Sequence, residues 1–200
     1  PDLLQKSLPK YPPYGKRILV DNNWFKTLRQ DNVKLVTDPI IQIRETSVIS
    51  KTGKEYEADI IVFATGFNAS QTLGSTQISI KNGLSLNTLW GDDNPRAYLG
   101  MTTPGFPNLF FLYGPNANLG HGGSIIFISE LQVRYVLNLL MKMIERGITE
   151  IECLEKVHDD YNQKLDREHD ELIWTHPGIT SWYKNQSGRI VSIMPWRLVD

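Results

Sequence analysis

A glycine-rich loop is the stretch of this sequence best suited to bind a ligand. Residues 114–123 contain four glycines and stand directly before a predicted helix that Ser124 can cap. A helix start presents unpaired N–H groups and partial positive charge, and glycines let a ligand approach the backbone closely. The loop therefore suits an anion or an electron-rich carbonyl group. An ordinary connection between a strand and a helix explains it equally well.

A basic pair, Lys16-Arg17, follows a loop that contains proline and glycine. A fixed guanidinium there can stabilise a negative intermediate, and a neighbouring ammonium can hold a phosphate. Taken from sequence alone, a solvated surface dipeptide is the commoner interpretation of such a pair.

Other reactive residue types give weaker signals. No G-x-G-x-x-G or G-x-x-x-x-G-K-S/T motif occurs in the 200 residues. His158 and His169 lie on one predicted helix without zinc-ligand spacing, so we expect a solvated face and no metal site. Cys153 is interpreted as a core residue rather than a nucleophile. The aromatic tail has two open interpretations, core filler or a stacking surface for a cofactor; it contains Trp174, Trp182, Tyr183 and Trp196.

The elements that must position these residues mix strands and helices. Continuous apolar runs at 59–65 and 109–113 predict strands buried on both faces, as in a parallel sheet. Helices are predicted over 124–146 and 157–173 from apolar residues at helical spacing. Shorter features are a meander over 40–57, helical turns from Trp24 to Arg29, strands over 17–21, 33–37 and 151–154, and loops over 67–108.

Composition describes an ordinary globular chain. Its 21 basic and 22 acidic residues give a net charge of −1, and 40% of the residues are apolar. This near-neutral balance argues against nucleic acid or an anionic membrane as the main partner. A single cysteine fits the cytoplasm, and no apolar run approaches the ~20 residues of a transmembrane helix. The chain opens at Pro1 without Met or a secretory signal, so we expect a fragment or a processed product.

Several segments carry a known pattern in a fixed order. D-I-I-V-F-A-T-G-F at 59–67 is accompanied by Y-G-K-R at 14–17, Y-G-P-N at 113–116 and S-W-Y at 181–183. Together they resemble class B flavoprotein monooxygenases, and among these the Baeyer–Villiger monooxygenases. Supporting matches are Trp24-Phe25, D-N-V at 31–33, G-F-P-N at 105–108, G-R at 188–189 and M-P-W at 194–196. Two further segments are most similar to the 4-hydroxyacetophenone monooxygenase branch: L-G-H-G-G-S at 119–124 and W-T-H-P at 174–177. Gln30 stands where the family has arginine.

The resemblance implies an α/β fold. It is a partial Rossmann-like FAD/NAD(P)-binding fold, the carboxy-terminal portion of a flavoprotein with two dinucleotide-binding domains. Residues 1–62 would form the last segment of the NADP(H)-binding domain and its link. Residues 63–200 would form the carboxy-terminal half of the FAD-binding domain and the tail. The family's two Rossmann fingerprints are absent from this sequence, so the missing amino-terminal part of the same enzyme is an expected partner.

The function implied by the resemblance is ketone oxygenation that depends on FAD and NADPH. One atom of O2 would be inserted into a small-molecule ketone through a flavin C4a-peroxide, giving an ester or lactone. The isolated chain is expected to be inactive, to bind both cofactors weakly or not at all, and to self-associate through exposed apolar surface. Two alternatives stay open: a flavin-containing monooxygenase that oxygenates nitrogen or sulfur, and a non-catalytic binding or assembly fragment.

The resemblance also implies roles for individual residues. Arg17 would be the catalytic cation, and Lys16 would recognise the 2′-phosphate of NADP. Trp182 would pack against the nicotinamide half of that cofactor. Thr65 and Gly66 would line the crossing between the two dinucleotide domains. The residues that would face the flavin are Gly114, Pro115, Asn116, Asn118, Leu119 and Ser124.

Overall fold

A computed structural model describes residues 2–120 and 122–198, and the chain divides into two units. The first unit contains residues 1–10 and 18–67, and the second contains residues 11–17 and 68–200. Pro1, His121, Val199 and Asp200 lie outside the described residues, so the histidine of the glycine-rich loop does too.

The first unit is built around a small antiparallel sheet. Its strands follow one another in sequence and in space, with Val48 of the middle strand opposite Ile43 and Tyr56. The meander predicted over 40–57 is therefore confirmed. The elements of this unit are α1 (Asp2–Ser7), α2 (Trp24–Thr27), β1 (Ile40–Ile43), β2 (Ser47–Ser50) and β3 (Glu55–Glu57).

The strand predicted over 59–65 is wrong, and so are those over 17–21 and 33–37. After the amide of Ala58 bonds to the carbonyl of Thr46 (3.0 Å), regular pairing stops. Ile60 and Val62 are 82% and 81% exposed. A strand needs a hydrogen-bonded neighbour, and no segment among the described residues pairs with this run.

The second unit is mainly helical. The predicted helix over 124–146 is confirmed: Ser124 Oγ accepts from the amide of Phe127 (3.3 Å), and Gly147 closes the helix in the left-handed conformation. One pair of short parallel strands joins the glycine-rich loop to the tail. The elements are α3 (Leu86–Trp90), β4 (Asn118–Leu119), α4 (Ile125–Arg146), α5 (Glu155–Asp170), a 3-10 helix (Ile173–Thr175) and β5 (Ile193–Met194). None of the helices within the described ranges has both the length and the apolar character needed to cross a bilayer.

Helix α4 exposes the apolar stripe that its sequence predicts to be buried. Val133 and Leu137 are 40% and 55% exposed, and Ile144 is 81% exposed. The face that packs within this unit carries Ile128 and Gln132 instead. The helix therefore has apolar residues on more than one face, and one of these faces stays uncovered in this chain.

The strand predicted over 109–113 is also wrong. Asn108 and Tyr113 have positive φ angles of 60° and 56°, which interrupt the extended conformation at both ends of the run. Phe111 is nevertheless buried, with its ring centroid 5.3 Å from that of Trp90 on α3. Helix α3 lies in the region predicted as loops, and Ser85 caps it by accepting from the amide of Thr88 (3.0 Å).

Two predictions about titratable residues near α5 need correction. His158 and His169 are buried at 8% and 3% exposure rather than solvated, because they lie on the packed face of the helix with Asn162 and Leu165. Cys153 is half-buried and lies outside regular structure, so the strand predicted over 151–154 is wrong. Burial raises the pKa of the Cys153 thiol, which favours the unreactive protonated form.

Candidate functional site

The basic pair and the glycine-rich loop meet in the second unit. Nη1 of Arg17 donates to the carbonyl oxygens of Leu119 (3.4 Å) and Gly120 (3.3 Å). These groups are more than 100 residues apart in the sequence, so the fold brings together the predicted catalytic residue and the predicted flavin-facing loop. Within the described part of the chain, no carboxylate pairs with Arg17. Its charge is therefore available to an anion.

Trp174 supports both sides of this contact. Its indole Nε1 donates to the carbonyl of Tyr14 (3.2 Å), three residues before Arg17. On the other side, a Cβ atom added at Gly120 would overlap the Trp174 ring, so only glycine fits there. Trp174 is 7% exposed and packs edge-on against Tyr183. Burial raises the pKa of Tyr183 despite the opposing positive charge of Arg17, which keeps its hydroxyl neutral beside the cation.

A close backbone crossing fixes the start of the glycine-rich loop. The amide of Gly114 donates to the carbonyl of Gly100 (3.2 Å), and a Cβ atom at Gly114 would lie 2.5 Å from that oxygen. Gln132 of α4 joins the two segments: its Nε2 donates to the carbonyl of Leu99 (3.2 Å), and its Oε1 accepts from the amide of Tyr113 (2.7 Å). The buried Gln132 thus ties the helix to the loop that precedes it.

The tail fixes the rest of the loop. Asn116 is 3% exposed, and its Nδ2 donates to the carbonyls of Ile190 (2.9 Å) and Ile193 (3.0 Å). Both amide hydrogens are therefore used inside the protein. Pro115 is fully buried beside it. Asn118 lies in β4, accepts from the Tyr113 hydroxyl (2.6 Å) and is partly exposed.

The start of α4 keeps hydrogen-bond donors free. Ser124 satisfies the amide of Phe127, whereas the amides of Ile125 and Ile126 find no acceptor in residues 2–120 and 122–198. Ile125 and Ile126 are 55% and 67% exposed. Two N–H groups and the positive end of a 22-residue helix therefore face outward beside the loop.

The remaining predicted site residues are Lys16, Trp182, Thr65 and Gly66. Lys16 Nζ is 4.7 Å from the centroid of the Tyr11 ring. Trp182 is 44% exposed and lies edge-on to Tyr183, so it keeps aromatic surface for stacking. Thr65 and Gly66 belong to the first unit, where both are exposed and Gly66 has a φ of 82°.

Sequence reasoning missed two residues that shape the site. Gln132 sits among apolar residues of α4, where a polar side chain at a packed position is the signal that a buried hydrogen-bond role exists. Arg189 was noted only as part of a G-R match, yet its guanidinium Nη2 donates to Asn116 Oδ1 (3.3 Å). Of the aromatic tail residues, Trp174 and Tyr183 belong to a buried cluster with Ile190 and Ile193.

Comparison with known proteins identifies the relatives of this chain. No family model matches it. It is 42% identical to an uncharacterized monooxygenase, y4iD, of Sinorhizobium fredii over 100% of the chain and 30% of that protein. It is 37% identical to a Baeyer–Villiger monooxygenase of Pseudomonas aeruginosa over 98% of the chain and 38% of that protein. The crystal structure of OTEMO in complex with FAD and NADP superposes with a TM-score of 0.83 at 26% identity, covering 97% of this chain and 36% of that one.

These similarities define the class to which the chain is related. It has the α/β fold of flavoprotein monooxygenases. More narrowly, it corresponds to part of a Baeyer–Villiger monooxygenase-like protein and spans about a third of the length of the relatives it matches. The resemblance inferred from the motifs is thereby confirmed.

Proposed function

We propose that this chain forms part of an enzyme that uses FAD and NADPH to insert one atom of O2 into a small-molecule ketone, giving an ester or lactone. The observation that carries the proposal is the contact of Arg17 with the carbonyls of Leu119 and Gly120. It joins a cation, for which residues 2–120 and 122–198 provide no carboxylate partner, to the loop that precedes helix α4. OTEMO, a structural neighbour, binds FAD and NADP.

The residues of the loop fit a flavin. When bound, reduced FAD supplies the electrons that activate O2. The amides of Ile125 and Ile126, which have no acceptor among the described residues, and the positive end of α4 suit the ring edge on which reduced flavin gathers negative charge. The loop takes its shape mostly from contacts within the protein. The residues that make them are Gly114, Pro115, Asn116, Asn118, Leu119 and Ser124.

Arg17 has the chemistry required of the catalytic cation. Negative charge develops on the reacting oxygen, and a guanidinium stabilises it without losing its own proton near neutral pH. Lys16 next to it would bind the 2′-phosphate of NADPH, and the exposed ring of Trp182 would stack on the nicotinamide half. Thr65 and Gly66 would line the crossing between the two dinucleotide-binding domains.

The exposed surface of α4 supports an intramolecular partner. Its side chains Val133, Leu137 and Ile144 are exposed to solvent. A contiguous exposed apolar surface of this kind usually marks a contact with another polypeptide. We infer that the remaining polypeptide of the same enzyme covers this face, and that without it copies of the chain associate through it. Inactivity of the chain alone and a cytoplasmic location remain predictions.

Substitution of Arg17 in the full-length enzyme tests the proposal. Arg17→Ala should lower the rate of ester formation by about 100–1000-fold, equivalent to ~3–4 kcal/mol, because a charge contact in a dry site is lost. Reduction of FAD by NADPH should change little, since Arg17 acts after that step. Stopped-flow absorbance at the flavin bands and quantification of the ester separate the two steps.

The control for this test is a variant that keeps the positive charge. Arg17→Lys keeps the positive charge and should retain more ester formation than the alanine variant. Ester formation by Arg17→Ala at a rate near that of the unmodified enzyme would remove Arg17 from the catalytic machinery.

A further inference from the structure

A partly buried arginine, Arg189, contacts the glycine-rich loop from inside the second unit. We infer that Arg189 is a positioning residue, which fixes the Gly114–Gly120 segment through the side chain of Asn116 and thereby the carbonyls that hold Arg17. The catalytic consequence of this inference rests on the function proposed above, whereas its structural part does not.

All three guanidinium nitrogens of Arg189 donate hydrogen bonds to residues of the second unit. The side chain is 12% exposed. Its Nε donates to Asp166 Oδ1 of α5 (2.9 Å), Nη1 donates to the carbonyl of Pro95 (3.1 Å), and Nη2 donates to Asn116 Oδ1 (3.3 Å). A rigid planar fork is needed to reach an acid, a carbonyl and an amide in three directions at once.

The arginine decides which way the Asn116 amide points. A guanidinium only donates hydrogen bonds, so the oxygen of the amide must face it. The two amide hydrogens are then directed to the carbonyls of Ile190 and Ile193. Asn116 also has a φ of 53°, which is a left-handed conformation. This conformation costs free energy, and it persists only where the surrounding structure imposes it.

The position of Asn116 sets the position of the residues that contact Arg17. Its backbone amide donates to the carbonyl of Val191 (3.1 Å), and the amide of Asn118 donates to the carbonyl of Ser192 (2.9 Å). Leu119 then pairs with Met194 in the parallel strands β4 and β5. The carbonyl of Leu119, one of the two that Arg17 contacts, is thus held by a continuous row of bonds that begins at Arg189.

Arg96 provides a matched control. It bonds to the other oxygen of the same carboxylate, from Nη2 to Asp166 Oδ2 at 2.8 Å, and within the described part of the chain its side chain makes no hydrogen bond to the loop. Removing Arg96 therefore weakens the ion pair without touching Asn116. A role confined to the stability of the ion pair predicts similar effects for both arginines, whereas positioning of the loop predicts an effect for Arg189 alone.

The structural part is tested on the full-length enzyme by hydrogen exchange and mass spectrometry. Arg189→Gln and Arg189→Lys should each raise amide exchange in peptides that cover 114–124 by about tenfold or more. Lysine is included because it keeps the charge and loses the three-way geometry. Arg96→Gln should leave these peptides within about twofold of the unmodified chain. Peptides from residues 135–146 of α4 report whether the unit is still folded.

The catalytic part is tested on the full-length enzyme loaded with FAD. Arg189→Lys should leave the KM for NADPH and the rate of flavin reduction within about twofold, while electrons are diverted from ester to hydrogen peroxide by about tenfold. This split between reduction and oxygen transfer is not expected from a general loss of stability.

The results distinguish the two proposals. Unchanged exchange over 114–124 in both Arg189 variants, or equal effects of Arg189→Gln and Arg96→Gln, would overturn the positioning role whatever the enzyme does. An unaltered ratio of ester to peroxide in Arg189→Lys would overturn its catalytic consequence. Absence of ester from the unmodified enzyme would instead refute the proposed function and leave the exchange result standing.

Discussion

Gly120→Ala is expected to destabilise the second unit, because the new methyl group would enter the space of the Trp174 ring. A Cβ atom at Gly120 would overlap Cζ2 and Cη2 of Trp174 and lie 3.3 Å from Cγ2 of Ile193. Neither neighbour can retreat easily, since Trp174 is 7% exposed and Ile193 is fully buried. The ring must therefore move, and its hydrogen bond to the carbonyl of Tyr14 (3.2 Å) is lost with it.

The expected cost follows from two terms. Forcing an extra methyl group into a packed core costs about 1–3 kcal/mol. Losing the hydrogen bond of the Trp174 indole adds about 1 kcal/mol. The free energy of unfolding should therefore fall by about 2–4 kcal/mol. Gly122→Ala is the control, because a Cβ atom there has nothing within 4 Å, and only its φ of 63° opposes the substitution, at about 1–2 kcal/mol.

Urea unfolding followed by circular dichroism measures these differences, and Trp174→Phe identifies their cause. The smaller ring of phenylalanine leaves room for the alanine methyl group, so the double variant should be more stable than the sum of the single costs predicts, by about 2 kcal/mol. If Gly120→Ala costs no more than Gly122→Ala, or if its cost simply adds to that of Trp174→Phe, the overlap deduced from the structure does not govern this site.

Two further predictions concern a titratable group and a cofactor contact. Burial lowers the pKa of His169 from 6.5 to about 4. The unfolded chain therefore binds a proton between these pH values that the folded chain does not, and the stability present above pH 6.5 falls as the pH drops toward 4, by up to about 3 kcal/mol. His169→Gln should flatten this part of the unfolding free-energy curve, and an unchanged slope would contradict the assignment. In the full-length enzyme, Lys16→Ala should raise the KM for NADPH, reduce the preference for NADPH over NADH and leave kcat nearly unchanged. Steady-state kinetics with both nucleotides measure this preference, and an unaltered preference would contradict the assignment of Lys16.

Local signals in the sequence predicted the parts of the fold that local interactions determine. The cap at Ser124 and the stop at Gly147 mark the ends of α4, because each makes its bonds within one turn of the helix. The meander at 40–57 follows in the same way from three short runs that pair with their sequence neighbours.

Predictions that depend on distant partners failed. The run at 59–65 has the composition of a buried strand, but composition cannot reveal whether a pairing neighbour is present. The burial of His169 was missed for a related reason: Nε2 of this ring is 3.0 Å from the carbonyl of Ile193, and only the fold brings that residue of the tail to α5.

The motif residues of the candidate site divide into two groups by what their polar atoms do. Asn116 uses both amide hydrogens within the protein, and Ser124 uses its hydroxyl as a helix cap, so these residues define shape rather than supply free ligand groups. Arg17, by contrast, donates to the backbone carbonyls of Leu119 and Gly120, and no carboxylate among residues 2–120 and 122–198 pairs with it.

Because these residues act together, the complete set of motifs indicates the function more strongly than any single residue does. The loop at 114–120 is held by α4 through Gln132 and by the tail through Asn116, and it receives Arg17 on its carbonyls. A change in any of these elements shifts the surface that the others share. The segments must therefore occur together for Arg17 and the start of α4 to act on one ligand, and the sequence contains all of them.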